Sequence, residues 1–424
     1  LLYSKGSIGG IINIVDNTIA RTDFEDSEFK LGLEAQTVNH GDSHDFSYQN
    51  NLGGFNVSLA YKDSDFGNFD IPDGAMIHHE DPDEEEEDED EEELDHLPNS
   101  DSGSTSQRVG ISKTGDWGYF GLSFSDSESL YGIPFHGDDH GGEEEDEEEH
   151  EDERIFATTD SNVVNIEGSY NVGNSWLTKI DYNFRDSDYS HTEQHAEEEG
   201  HEGEEHEEDE HHAEGPTTFS NEATEYGAIF DLGNDSLSQK IAVNYVVEDI
   251  SVIGEEAFIN PTESKELTLG YYLSKELDLF HVDFGIRHDQ ISRKGSVSHE
   301  EDHDEHDEHD EHDEHEEDHA DEHGDEHEAE LEYFDRDIST TSYALTLSRD
   351  INESLEVSLG LSSVERAPSA VELLMNGPHL ATGRVEVGNF NLKSEQSNNI
   401  DLSFNYSNDG FYGDLTFFQN NVDN

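Results

Sequence analysis

Apolar and polar residues alternate with period two along most of the chain, most regularly where Phe55, Val57, Leu59 and Tyr61 interleave with Asn56, Ser58, Ala60 and Lys62. Successive side chains of a strand point to opposite faces, so this spacing predicts a strand with one apolar and one polar side. The same reading covers Phe29, Leu31, Leu33 and Ala35; Phe120, Leu122 and Phe124; Trp176, Ile180, Tyr182 and Phe184; Phe280, Val282, Phe284 and Ile286; and Ile400, Leu402, Phe404 and Tyr406. About fifteen such segments are expected, each roughly nine to eleven residues long, which is what a tilted strand needs to cross a bilayer core. No long amphipathic helical pattern competes with them.

The connections add a second regularity. Short polar turns at 51–54, 115–116, 171–175, 233–236, 350–353 and 408–410 alternate with long segments. In an up-and-down meander every second connection lies on the same side, so all the long segments are expected at one rim. Short turns on one rim and long loops on the other characterise transmembrane barrels, whose sheet must close because hydrocarbon leaves no partner for an open edge. A large soluble all-β protein would show the same alternation. The strand number, the turn parity and polar second faces such as Lys179, Asp181, Asn183 and Arg185 favour a wet lumen over a second packed layer. The expected fold is therefore an all-β, transmembrane, antiparallel up-and-down β-barrel.

Charge sharpens this picture. The 424 residues carry a formal charge of −87, a balance close to that of disordered chains. The acids are concentrated, however. Windows 78–96, 136–153, 191–214 and 299–328 hold 57 of the 107 Asp and Glu and no Lys or Arg, and each is expected in a long connection. The remainder keeps nearly all the apolar residues and is able to fold. With no Cys there is neither a disulfide framework nor a thiolate metal site. No apolar run is long enough for a transmembrane helix, and so acidic a chain is not expected to bind nucleic acid. No signal-peptide pattern opens the sequence at Leu1 and it stops just after a strand-like stretch, so an internal fragment of a longer protein is expected.

The windows also hold 21 of the 26 His. Imidazole with carboxylate suits zinc, copper or nickel, whereas carboxylate alone suits calcium or magnesium. His303, His306, His309, His312 and His315 recur every third residue among Asp and Glu, and His191, His195, His201, His206, His211 and His212 form a looser set. Such tracts offer many exchangeable sites that draw cations toward a pore; the poly-Glu stretch 84–93 reads instead as a solvated, self-repelling loop. A transport site needs ligands in fixed geometry. The candidates are single residues beside rigid neighbours: His379 after Asn376, Gly377 and Pro378; His136 after Pro134; and Glu255 and Glu256 in a loop closed by Pro261. For each of these a local loop hydrogen bond is the alternative reading. No nucleophile elbow, phosphate loop or His-Glu metalloprotease motif is present, so no enzymatic activity and no catalytic cofactor are expected.

Two stretches bear a family resemblance. LLYSKGSIGGIINIVDNTI (1–19) resembles the end of the plug domain of TonB-dependent outer-membrane receptors, with Ser4 and Lys5 replacing the more usual Gly and Ser. Residues 365–404 are similar to a barrel segment of the same receptors, in which Arg-x-Pro-x-x-x-Glu-Leu precedes Gly-Asn-x-x-Leu-Lys-x-Glu-x-Ser. The insert at 376–382, the His-rich loops, YGIPFH (131–136) and GEEAFINP (254–261) look like the zinc-uptake, ZnuD-type branch. The resemblance implies a 22-stranded barrel, incomplete here: residues 1–20 end the plug, and 21–424 form a partial barrel with long extracellular loops. It also implies a multi-pass protein in the outer membrane of a Gram-negative bacterium, in contact with outer-membrane lipid and driven by the TonB–ExbB–ExbD complex. The expected ligand is Zn2+ or a related divalent metal, and the resemblance favours His379 as a ligand. A tetrahedral site would combine His379, His136 and Glu255 or Glu256 with an Asp or His of the plug. Alternatives are a siderophore or haem receptor of the same fold and a surface metal-buffering or adhesion protein.

Overall fold

The computed structural model describes residues 8, 12, 14–72, 95–134, 154–174, 176–195, 215–233, 237–254, 257–299, 330–379, 384–408 and 410–423; of His195, His299, Glu330, Pro378 and His379 it describes the backbone alone. In chain order the strands are β1 (Glu28–Ala35), β2 (Asp42–Leu52), β3 (Phe55–Phe66), β4 (Phe69–Asp70), β5 (His96–Leu97), β6 (Ser102–Gly115), β7 (Gly118–Gly132), β8 (Ile155–Asn171), β9 (Lys179–His195), β10 (Thr217–Asp231), β11 (Ser238–Ile253), β12 (Thr262–Glu276), β13 (His281–His299), β14 (Glu330–Asn352) and β15 (Leu355–Arg366). A five-residue helix, α1 (Ala370–Leu374), then precedes β16 (Asn376–His379), β17 (Arg384–Val387), β18 (Glu395–Asn408) and β19 (Phe411–Asp423).

Fifteen strands make one antiparallel sheet in sequence order, from β1 through β3, then β6 to β15, and finally β18 and β19. The pairs β4–β5 and β16–β17 are separate two-stranded ribbons within connections. Because each strand pairs with the next, the tight turns after β2, β6, β8, β10, β12, β14 and β18 all fall at one end of the sheet. The connections after β3, β7, β9, β11, β13 and β15 fall at the other. The expected turn parity holds, including one tight turn, 277–280, that the hydrophobic pattern did not single out. The sheet is an incomplete barrel: β1 and β19 are its two edges and do not pair with each other.

The two faces differ as the alternation requires. Phe120, Leu122 and Phe124 of β7 are 42–46% exposed on the apolar face, in line with Ile111 and Val109 of β6. The polar face carries Arg287, Asp289 and Arg293 of β13, all buried. Arg287 Nε donates to Asp289 at 2.9 Å, Thr268 donates to the same carboxylate at 2.7 Å, and Arg293 is paired with Glu266. Charge buried beside a sheet survives only when paired in this way.

Strands run longer than nine to eleven residues: β8 and β9 have 17, β13 has 19 and β14 has 23. The reason lies toward the long-loop end, where the apolar face itself becomes polar. Phe124 gives way to Asp126 and Glu128, Phe184 to Asp186 and Asp188, and Tyr343 to Asp337 and Asp335. With both faces polar, period two vanishes from the sequence while the hydrogen-bonded ladder continues.

Residues 16–24 lie against the polar face near the tight-turn end, without regular secondary structure. Ser112 donates to the Ala20 carbonyl at 2.7 Å, the Phe24 N–H to Asn56 Oδ1 at 2.9 Å, and Arg21 pairs with Glu167. Gly110 makes this approach possible, since a Cβ there would stand 1.9 Å from the Thr18 carbonyl oxygen. The Ile-Asn-Ile stretch just before this segment forms no strand at its described positions, Ile12 and Ile14, which are 89% and 86% exposed.

Candidate metal centre

At the long-loop end, the polar face carries a ladder of rings. Tyr131 of β7 stacks on His191 of β9, with centroids 6.1 Å apart and planes 23° apart. His191 then meets Phe219 of β10 at 5.5 Å, and Phe219 meets Phe258 of the β11–β12 connection at 5.7 Å. His191 Nε2 lies 3.0 Å from Glu193 Oε1, two positions along the same strand and therefore on the same face. The two side chains are only 13% and 17% exposed.

Phe258 belongs to the main apolar cluster, with Val252, Ile259, Val297, Ala370, Leu373 and Leu374. This small core sits on the mainly polar face and docks two connections against the wall. Asn376 at the start of β16 donates its N–H to the Phe258 carbonyl at 2.7 Å and its side-chain amide to the Ser298 carbonyl at 2.8 Å. The strand carrying His379 is thereby fixed beside Phe258. Gly254, where the connection to Glu255 and Glu256 begins, approaches the Pro216 carbonyl and Thr217, the register partner of Glu193. Tyr131, in contact with His191, is five positions before His136.

α1 is held by its own cap. Ser369 Oγ accepts from the Glu372 N–H and the Glu372 carboxylate accepts from the Ser369 N–H, a reciprocal capping box. The Arg366 guanidinium bonds both oxygens of Glu372 and also Glu395, holding the Glu372 carboxyl down to about 2. Arg336 donates to the carbonyls of Phe390 and Leu392, at 3.1 and 2.8 Å. Arg366, Glu372, Gly388, Leu392 and Glu395 of the sequence motif are thus one structural knot that closes the β15–β18 connection onto the wall.

Of the candidate ligands, only His191 is described with its side chain. His195 ends β9 and His379 ends β16, both by backbone; His191 and His195 therefore stand on a strand and not in a loop, because β9 continues past its apolar stretch. His136, Glu255, Glu256, His201, His206, His211, His212, His303, His306, His309, His312 and His315 lie outside the described residues. Among the described residues no group of three or more His, Asp or Glu is placed to hold a metal ion. Sequence reading did not name Glu193, Tyr131, Phe219 or Phe258 as site residues, although Tyr131 and Phe258 lie in the YGIPFH and GEEAFINP stretches. The His-x-Glu spacing at 191–193 carries the signal for the first of these, but it is masked by the acidic tract that follows.

The fold has known counterparts. The Serratia marcescens hemophore receptor HasR, solved as a double mutant with its hemophore HasA and heme, aligns with a TM-score of 0.66 at 11% identity, over 97% of this chain and 56% of that one. The FrpB iron transporter from Neisseria meningitidis aligns at 0.62 with 13% identity, over 96% and 56%. The copper transporter OprC gives 0.59 with 11% identity, over 95% and 54%. The chain thus spans little more than half the length of these proteins, and at such identities the likeness is one of fold. Residues 98–424 match the sequence profile described as TonB dependent receptor-like, beta-barrel, so the chain belongs to that family.

Proposed function

We propose that the protein is part of a TonB-dependent outer-membrane transporter for zinc or a closely related divalent metal, with residues 1–20 as the end of its plug. The observation that carries this reading is topological: every connection bearing an acidic, His-rich window leaves the same end of the sheet. Segments tethered around one mouth raise the local cation concentration there, which speeds capture. The wall beneath supplies fixed groups, with the strand of His379 held beside Phe258 and with His191 and Glu193 close by. In this scheme the barrel performs no chemistry. The ion loses its water to imidazole and carboxylate at the mouth, and the TonB–ExbB–ExbD complex moves the plug to open the path.

Uptake of an anionic chelate such as a siderophore or haem is the rival within the family. It calls for an aromatic vestibule lined with guanidinium groups; the Tyr131, Phe219 and Phe258 rings meet the first requirement. On the polar face Arg287, Arg293, Arg336 and Arg366 are engaged by Asp289, Glu266, two carbonyls, and Glu372 with Glu395, while Arg185 of β9 stands exposed. The deciding experiment is growth of a deletion strain on limiting zinc, rescued by the full-length gene or by its His379→Ala form. Rescue by the first alone is expected; equal rescue by both removes His379 from the site, and rescue by neither removes zinc uptake. Deleting the four windows separates transport from surface buffering. A transporter keeps uptake at high zinc and loses it under scarcity, whereas a buffering or adhesion protein loses its function altogether.

A further inference from the structure

We infer that His191 and Glu193 form a fixed two-ligand seat for a borderline divalent cation on the inner wall. This inference rests on the metal-uptake reading and adds a station to it.

Geometry comes first. Alternate positions on one strand put both side chains on one face, and the strand ladders on either side fix their spacing. A tetrahedral zinc ion bonded to one imidazole nitrogen and one carboxylate oxygen holds those two atoms about 3.4 Å apart. The separation in the structure is 3.0 Å, so the pair opens by a few tenths of an ångström and the Glu193 carboxylate swings off the N–H direction to admit the ion.

The state of the ring follows from its surroundings. His191 Nδ1 is buried and has no hydrogen-bond partner among the described residues. In the neutral ring the single proton therefore sits on Nε2, where Glu193 accepts it. A metal ion takes the place of that proton between the same two atoms. One Nε2–H bond breaks, one metal–nitrogen and one metal–oxygen bond form, and one proton leaves to solvent for each ion bound. Orientation of a metal-binding imidazole is commonly fixed by a bond to its second nitrogen. Here packing between Tyr131 and Phe219 does that work.

Position gives the seat its use. β9 leads directly from Glu193 through His195 into the tract carrying His201, His206, His211 and His212. Cations drawn to that tract are thereby concentrated next to the wall. With two protein ligands and the remaining positions filled by water, the seat exchanges its ion readily, as a transfer point must.

The test is a zinc-edge anomalous difference map of crystals of the full-length protein soaked in Zn2+. A peak about 2.0–2.2 Å from both His191 Nε2 and Glu193 Oε1 is expected. Glu193→Gln keeps an acceptor for the imidazole and removes the charge. It should leave the Tyr131–His191–Phe219 stack in place and weaken zinc retention at this position by more than the roughly 10–100-fold typical of losing an outer-shell partner. Absence of the peak with the His191–Glu193 bond intact overturns the inference, as does a peak unchanged in the Gln variant. Radioactive zinc uptake by cells carrying the unaltered protein keeps the two readings apart: uptake without the peak sinks the seat alone, and the peak without uptake sinks the transport reading alone.

Discussion

Arg366 donates from both terminal nitrogens to Glu372, at 3.0 and 2.8 Å, and so locks the last residue of β15 to the first turn of α1. Its third contact, from Nε to Glu395 at 3.1 Å, reaches the first residue of β18. One guanidinium thus closes a connection of nearly thirty residues at its base.

Replacing Arg366 with Ala should loosen that connection without unravelling the sheet. Charge-assisted bonds of this kind are worth about 1.5–3 kcal/mol, reduced here because both side chains are more than a third exposed. Hydrogen exchange should accelerate over residues 370–392 and stay unchanged in the middle of β13 and β14.

Acid should act on the same knot. The Glu372 carboxyl is held at about 2, below its ordinary value of 4.5, chiefly by the Arg366 bonds. A depressed carboxylate contributes stability that is complete above its unfolded value and fades as pH falls toward its folded one. Protection of residues 370–392 should therefore hold above about pH 4.5 and decline between there and pH 2. In Glu372→Gln the segment should be looser at neutral pH, and this portion of the pH dependence should disappear.

Gly388→Ala should be costly for steric reasons. A Cβ at Gly388 would stand 2.7 Å from the Leu373 carbonyl carbon and oxygen and 2.8 Å from the Leu374 nitrogen, all backbone atoms of α1. Overpacking of this kind costs about 1–3 kcal/mol, visible as a lower melting temperature in detergent. Gly413→Ala, where nothing stands within 4 Å, is the matched control and should melt as the parent does.

Phe258→Ala should undock the β16–β17 ribbon. Phe258 is 7% exposed, packs on Phe219 and lies under Gly377, and emptying such a site costs about 3–5 kcal/mol. Growth on limiting zinc should fall to the level of the His379→Ala strain, while the number of zinc ions retained by the tracts should stay the same. Undiminished growth would show that the ribbon needs no such anchor.

The sheet was legible because a strand with one apolar face writes period two into the chain, and Phe120, Leu122 and Phe124 do so plainly. Its true length was not, since Asp126, Glu128, Asp186 and Asp188 continue the strands with no contrast between faces. A helix of one turn, α1, is too short to show periodicity; its capping residues Ser369 and Glu372 were visible only as part of a family motif. At the mouth, composition pointed to imidazole and carboxylate in general. Which His would be held rigidly depended on partners distant in sequence, Tyr131 and Phe219 against His191, and no local spacing encodes those.

The long strands have an electrical corollary. With 23 residues at about 3.3 Å each and a tilt near 45°, β14 rises about 50 Å, against roughly 25 Å for the apolar band of a membrane barrel. Much of the surplus lies toward the long-connection end, where the apolar face turns polar at Asp337 and Asp335. Salt damps electric fields over about 8 Å at physiological strength, so in the proposed transporter any charge carried beyond that end lies past the reach of the lipid phosphates.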